Sequence, residues 1–227
     1  MEVPLRSLYS RGSYYSTNPQ GRRIHGHPGA LTPDSHGEFG SYVITSLYYD
    51  DPLDRALLEK QDGLARHTKF RLRTYDGRQD FIRLERKVKE GIITQKQSGV
   101  ITPEQLPFLG LPEWDLDRFS GKAYNLAAQM LTGGMRPAVT VRYHRDAFLF
   151  QGTDLRLTFD TNLEVLPPEL DALFDRDGMG IPVLDGNTVI MEIKYGSYVP
   201  AFIRQLTAVP TRQLSVSKYA LCRETTM

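Results

Sequence analysis

Four segments of the chain place charged residues at every second position, and most of those charges are basic. Arg66–Tyr75 (RHTKFRLRTY) alternates Lys69, Arg71 and Arg73 with Phe70 and Leu72. Arg83–Lys89 (RLERKVK) alternates Arg83, Glu85, Lys87 and Lys89 with Leu84 and Val88. Leu155–Asp160 sets out Arg156, Thr158 and Asp160 around Leu157 and Phe159, and Ile190–Tyr195 sets Glu192 and Lys194 between Met191 and Ile193. A β-strand sends successive side chains to opposite faces. Each segment is therefore predicted to be a strand with an apolar face on a core and a charged face on the other side. In water such a face is ordinary solvated surface. Several of them closed around one another would enclose a basic tunnel with a few carboxylates, a geometry suited to a polyanion and a divalent metal.

The concentration of charge is local. The chain of 227 residues carries 28 basic and 27 acidic residues, a net charge of +1, so no bulk field points to nucleic acid or an acidic membrane. Between Arg66 and Lys96, ten Lys and Arg face four Asp and Glu. Like charges on neighbouring strands repel, and phosphate is the usual counter-charge because the planar Arg fork matches its oxygens. The single cysteine, Cys222, excludes a disulfide framework and Cys-x-x-Cys metal sites and fits a reducing, cytoplasmic location. No apolar run approaches the ~18–20 residues of a membrane span, and the N-terminus lacks the apolar stretch of a signal peptide. The five histidines show no metal-motif spacing, and His25-Gly-His27 reads as a solvated loop. There is no P-loop, Gly-x-Gly-x-x-Gly or Gly-x-Ser-x-Gly motif, which leaves the common nucleotide-binding folds and serine hydrolases unsupported.

Residues 1–38, rich in Gly, Ser, Pro, Tyr and Arg, have neither structural period and are read as irregular or disordered, with a short element near Pro4–Tyr9. A single domain is predicted over 39–222. Strands are expected at Ser41–Asp50, 66–75 and 80–89, the last two joined by a turn at Asp76-Gly77, with a further strand at Ile92–Gln97. Leu53–Gln61 and Asp115–Thr132 are predicted helices, the second stopped by Gly133-Gly134. Strands resume at Ala138–Asp146, Ala147–Gln151, Leu155–Thr161 and Thr188–Tyr195. Pro167–Leu184 reads as a loop, and Pro200–Thr207 and Gln213–Leu221 as short helices. The fold class is α+β with a large antiparallel sheet system and flanking helices.

Glu85 and Glu192 each sit among bases. Taken alone, each reads as a structural ion pair. Facing a common phosphate site, the two read as ligands of Mg²⁺ or Mn²⁺, with Asp160 as a third carboxylate or a strand cap. Ser217-Lys218 lies on the last predicted helix, where the two side chains would reach a phosphate chain if that helix plugs one end of a tunnel.

These residues resemble the polyphosphate polymerase domain of the vacuolar transporter chaperone (VTC) family, within the triphosphate tunnel metalloenzymes. The matching stretches are Tyr42–Asp50, Lys60-Gln-Asp-Gly63, Lys69–Tyr75, Leu84–Lys87, Lys96, Pro137–Arg145, Arg156–Asp160, Glu192-Ile-Lys194 and Ser217–Tyr219. They run in family order from about residue 30 to 220. The resemblance implies an antiparallel β-barrel tunnel. It also implies polyphosphate synthesis from the ATP γ-phosphate with a divalent metal, as in the fungal members. By motif, Arg71, Arg73, Lys87, Arg145 and Lys218 would act at the transferring phosphate. Lys69, Lys96, Tyr143, Lys194 and Ser217 would bind the chain, and Glu192, with Glu85, would hold the metal. ATP and polyphosphate are the implied partners, no nucleic acid is expected, and the sequence indicates no protein partner. Hydrolysis of a triphosphate in the same tunnel, and polyphosphate binding without turnover, remain the other readings. Family members open with a strand carrying Glu-x-Lys-Tyr. The first 30 residues here hold no Glu-x-Lys pair, so the expectation is a missing first strand, through loss or a displaced start, and impaired activity.

Overall fold

The computed structural model describes residues 10–16, 31–34, 40–91, 93–109, 114–196, 211–213 and 216–227. In chain order the elements are β1 (Ser10–Ser16), β2 (Leu31–Pro33), β3 (Ser41–Asp50), α1 (Arg55–Gln61), β4 (Arg66–Tyr75), β5 (Ile82–Glu90) and β6 (Ile93–Ile101). Then follow α2 (Gly121–Thr132), β7 (Arg136–Phe150), β8 (Arg156–Leu166), β9 (Ile181–Pro182), β10 (Val189–Tyr195), β11 (Thr211–Gln213) and α3 (Lys218–Thr225). Short 3₁₀ turns occur at Pro103–Phe108, Leu116–Arg118 and Asp171–Leu173. The chain divides into two compact units. The first comprises Met1–Tyr42, His144–Asn162 and Leu184–Val216, and the second Val43–Tyr143, Leu163–Val183 and Ser217–Met227.

In the second unit the strands run β7-β3-β4-β5-β6, with antiparallel registers that pair Arg71 with Tyr48 and Glu85, and Lys87 with Lys69 and Lys96. Strand β3 is dense in β-branched and aromatic residues, which fit a pleated, half-buried surface. The β4–β5 connection turns on Asp76 and Gly77, both left-handed at φ 51° and 66°. A Cβ on Gly77 would also meet the Phe174 carbonyl oxygen at 2.8 Å, so glycine is required twice over. The alternate residues Leu47, Tyr49, Phe70, Leu72 and Leu84 build one core with Ile82 and Ile101. Helix α2 covers it with Ala123, Leu126, Ala127 and Met130, an i, i+3, i+4, i+7 stripe. Gly99 permits this approach, since a Cβ there would lie 2.8 Å from the Ala123 nitrogen.

In the first unit the order is β11-β1-β10-β8-β7, with β2 on β7. Leu155, Leu157, Phe159, Val189, Met191 and Ile193 form its core, joined by Phe148, Phe150 and Tyr195. The charged residues between them occupy the opposite face.

The alternation in 66–75, 80–89, 155–161 and 188–195 thus forms strands as predicted. The N-terminal reading is corrected. Within the segment read as irregular, Ser10–Ser16 is a strand paired antiparallel with β10, and Leu31–Pro33 pairs with β7. A strand thus lies within this segment, without the Glu-x-Lys-Tyr sequence. Its run SRGSYYS lacks apolar alternation, and the strand is defined by its backbone ladder to β10. Other differences are smaller. The two strands expected over 138–151 are one, β7, and β6 extends to Ile101. The second predicted helix begins only at Gly121, whose φ of 55° breaks the helical pattern behind it. The last helix starts at Lys218, capped by the Ser217 hydroxyl on the Ala220 amide, rather than at residue 213. The elements predicted at Pro4–Tyr9 and Pro200–Thr207 lie outside the described residues, as do His25 and His27.

Candidate phosphate-binding faces

The second unit collects Lys69, Arg71, Arg73, Glu85, Lys87, Lys96, Tyr143, Ser217 and Lys218 from the predicted set. The register arranges the strand residues in rows. Lys69, Lys87 and Lys96 form one row, Tyr48, Arg71, Glu85 and Ser98 the next, and Ser46, Arg73 and Arg83 the third. Among the described residues Glu85 is the sole carboxylate on this face of β4, β5 and β6.

Glu85 is 1% exposed. Its Oε2 accepts from Arg71 Nε at 2.7 Å, and Lys96 Nζ lies 2.5 Å from Oε1. Burial alone would raise its carboxyl, but Arg71, Arg73 and Lys96 outweigh that and hold it at about 2. Arg71 also donates from Nη1 to the Tyr48 hydroxyl at 3.0 Å. Burial works against the Arg71 charge, yet Tyr48 and Glu85 reverse the effect and raise its pKa. Tyr48 responds in turn. Burial would raise its phenol, and Arg71, Arg73 and Lys69 bring it below the ordinary value. Arg73 is buried and donates from Nε to Ser46 Oγ at 3.1 Å.

Lys69 donates to Ser217 Oγ at 2.7 Å and stands 5.0 Å over the Tyr219 ring. Burial, with Lys60 and Arg71 nearby, brings its ammonium down to about 8. Lys218 Nζ lies 4.7 Å over the Tyr143 ring, a cation–π contact. Helix α3, which brings Ser217 and Lys218 here, is anchored by the buried Tyr219 hydroxyl donating to Asp50 and by Arg223 on Asp54 at 2.7 Å. Asp50 also accepts from the Ala56 and Leu57 amides at the start of α1. One buried carboxylate thus ties both helices to the end of β3.

The first unit holds Arg145, Glu192 and Lys194. Arg145 is bidentate on Asp160, at 2.6 and 2.8 Å, and both are buried. Asp160 lies inside β8 rather than at its end. Arg156 donates to Asp34 and, at 3.0 Å, to the Tyr42 hydroxyl. Glu192 is 4% exposed, faces Thr158 and Ser13 across the ladder, and has Lys194 Nζ at 3.5 Å.

Among the described residues no group of three or more His, Cys, Asp and Glu is placed to hold a metal ion. A buried carboxylate such as Glu192 can serve a hard cation whose remaining ligands are water and substrate phosphate, the usual arrangement for Mg²⁺. It does not suit a cage built by protein alone.

Sequence reasoning did not assign Tyr48, Ser46 or Arg83 to this site. All three carry the same parity signal as Arg71, and Tyr48 and Ser46 became legible only through the β3–β4 register.

The VTC-domain family model matches residues 10–227, nearly the whole chain and every residue of these two faces. The chain belongs to the VTC-domain family. No curated protein matches it. Among solved structures, a candidate adenylate cyclase from Bacillus halodurans aligns with a TM-score of 0.54 at 11% identity, covering 93% of this VTC domain and 94% of its own chain. A candidate adenylate cyclase from Vibrio parahaemolyticus gives 0.48 at 14%, covering 95% and 98%. A protein from Pyrococcus horikoshii gives 0.49 at 14%, covering 96% and 97%. At such identities the likeness to the Bacillus protein concerns the fold alone. It agrees with the α+β, antiparallel fold class. No helix among the described residues is long and apolar enough to cross a membrane.

Proposed function

We propose that this VTC domain is a metal-dependent phosphotransferase that extends polyphosphate with the γ-phosphate of ATP, in the cytoplasm. The observation that carries the reading is the three-row basic face of the second unit, where Lys69, Arg71, Arg73, Arg83, Lys87 and Lys96 accompany a single carboxylate. A face on which Arg73 is buried and Arg71 only 16% exposed, with a single carboxylate among its cations, calls for an external anion, and a phosphate chain supplies charged oxygens along its length. Arg71 and Arg73 would grip phosphate oxygens with their forks, Lys87 and Lys96 as point charges. Ser217, Tyr143 and Lys218 would add hydroxyl and ammonium donors. Glu192 would hold Mg²⁺ or Mn²⁺, which when bound neutralises developing charge on the phosphates. The residues themselves bind, orient and stabilise charge in a preorganised setting, and no covalent protein intermediate is needed.

A polyphosphate-binding module without turnover is the second reading. It is favoured by β1, whose SRGSYYS sequence lacks the family's Glu-x-Lys-Tyr. Incubation with ATP and Mn²⁺, followed by separation of products by chain length, decides. Long chains support the transferase, inorganic phosphate alone a hydrolase, and binding without turnover the module. Glu192→Gln, which keeps shape and removes charge, should abolish metal-dependent turnover and leave most polyphosphate binding. Unchanged turnover at limiting Mn²⁺ would make Glu192 a structural partner of Lys194.

A further inference from the structure

Glu85 stands at the centre of the basic face of the second unit, and both of its oxygens already contact cations. Arg71 Nε donates to Oε2 at 2.7 Å, and Lys96 Nζ is 2.5 Å from Oε1. A hard metal ion needs carboxylate oxygens available to turn toward it. Here the surroundings are positive, with Arg73 also close enough to act on the carboxylate. We propose that Glu85 is a resident counter-ion: in the unloaded protein it occupies the place of a phosphate oxygen on Arg71 and Lys96, and a phosphate chain binds by taking over those donors. The inference rests on the phosphate reading above and assigns Glu85 a role other than metal ligand.

Three observations support an exchange of donors. Glu85 is 1% exposed, so it sits beneath the face rather than competing from its rim. Lys96, in contrast, is 45% exposed and can turn its ammonium from Glu85 to an arriving anion. Arg71 keeps a second anchor in the Tyr48 hydroxyl at 3.0 Å, which fixes the guanidinium while its other donors change partner. In the unloaded protein the carboxylate is ionised, since the surrounding cations hold it at about 2, so the exchange begins with an anion taking the donors of a charged Glu85. A guanidinium buried without any counter-charge is costly, which explains why a phosphate-binding face retains a carboxylate that opposes its ligand.

The test is tripolyphosphate binding by calorimetry in the presence of a chelator, with wild type and Glu85→Gln. Removing one buried negative charge a few ångströms from the ligand should tighten binding by about tenfold. The variant should also melt at a lower temperature alone and gain more than wild type on adding tripolyphosphate, because the ligand then supplies the missing counter-charge. A merely structural Glu85 would lower the melting temperature without tightening binding, which overturns the inference. A metal ligand would leave the chelator measurement unchanged and lose a Mn²⁺-dependent gain, which overturns it too. Should Glu85→Gln not fold, Glu85→Asp keeps the charge and withdraws it by one methylene. Its affinity should rise by a smaller factor, and an equal or weaker affinity overturns the inference. A wild type that binds tripolyphosphate with no gain in either variant leaves the phosphate reading standing. A wild type and variants that all fail to bind overturn both.

Discussion

The charged faces of the two units are built on opposite principles. In the first unit three of the described cations each lie on a carboxylate: Arg145 on Asp160, Arg156 on Asp34 and Lys194 near Glu192. In the second unit Arg71 and Lys96 share one, Glu85, on a face that also carries Lys69, Arg73, Arg83 and Lys87. Matched pairs satisfy themselves and fix local structure. A face in excess is stable only because its charges are spread over three rows, and it gains when an anion arrives. Alternation alone made the two kinds of strand look alike in sequence, and the difference lies in which partner each register selects.

Breaking a matched pair should have the largest effect. Arg145→Met leaves Asp160 buried and ionised, and should cost about 3–5 kcal/mol in urea unfolding. Adding Asp160→Leu should recover most of that loss. If Arg145→Met is instead stable but fails to bind polyphosphate, Arg145 belongs with the ligand-seeking cations and the contrast fails.

Removing a cation from the face in excess should act on binding. Arg71→Met should weaken tripolyphosphate affinity about 10–100-fold, the worth of a charged hydrogen bond of about 1.5–3 kcal/mol. Calorimetry reads it, and an affinity within twofold of wild type would mean that the second unit's face is not the phosphate site.

The pH response of Lys69 sharpens the comparison with a smaller effect. Its folded pKa of about 8 lies below the ordinary lysine value of 10.5. Between those values the unfolded chain binds the extra proton, so this group makes stability rise with pH from about 8 to 10.5. Phosphate binding moves the other way, because the ammonium is lost as pH passes 8. Tripolyphosphate affinity should fall over that window in wild type and lose most of that fall in Lys69→Met. A variant that keeps the whole pH dependence would place the titrating group elsewhere.

Much of this was legible because parity is a strong signal. Strands β4, β5, β8 and β10 were read within a few residues, since most alternate positions, though not Thr68, Thr74 or Arg86, were apolar and had to face a core. Glycine and charge also marked the Asp76-Gly77 turn correctly. What failed was a strand without apolar alternation. Ser10–Ser16 offers serine, arginine, glycine and tyrosine, and nothing in that order distinguishes a strand from a loop until β10 lies beside it. The site was half legible for a related reason. Arg71 and Glu85 stood out singly, but their contact, like Tyr48 beneath Arg71, depends on a register that loop length and core packing select. Lys69 and Ser217 are far apart in sequence, and no local pattern announces their hydrogen bond.

The two-residue period of β5 has a consequence for how such a chain can change length. Arg83, Glu85 and Lys87 face one way, while Leu84 and Val88 face the core. Loss of a single residue between Arg83 and Lys87 would turn every side chain beyond it over, sending Val88 to the phosphate side and Lys87 into the apolar layer. Substitutions there can be graded, one charge or one methylene at a time, but insertions and deletions cannot. Growth and shrinkage of the chain are thereby confined to the connections, such as the stretch from Asp76 to Asp80, where the strands have already ended.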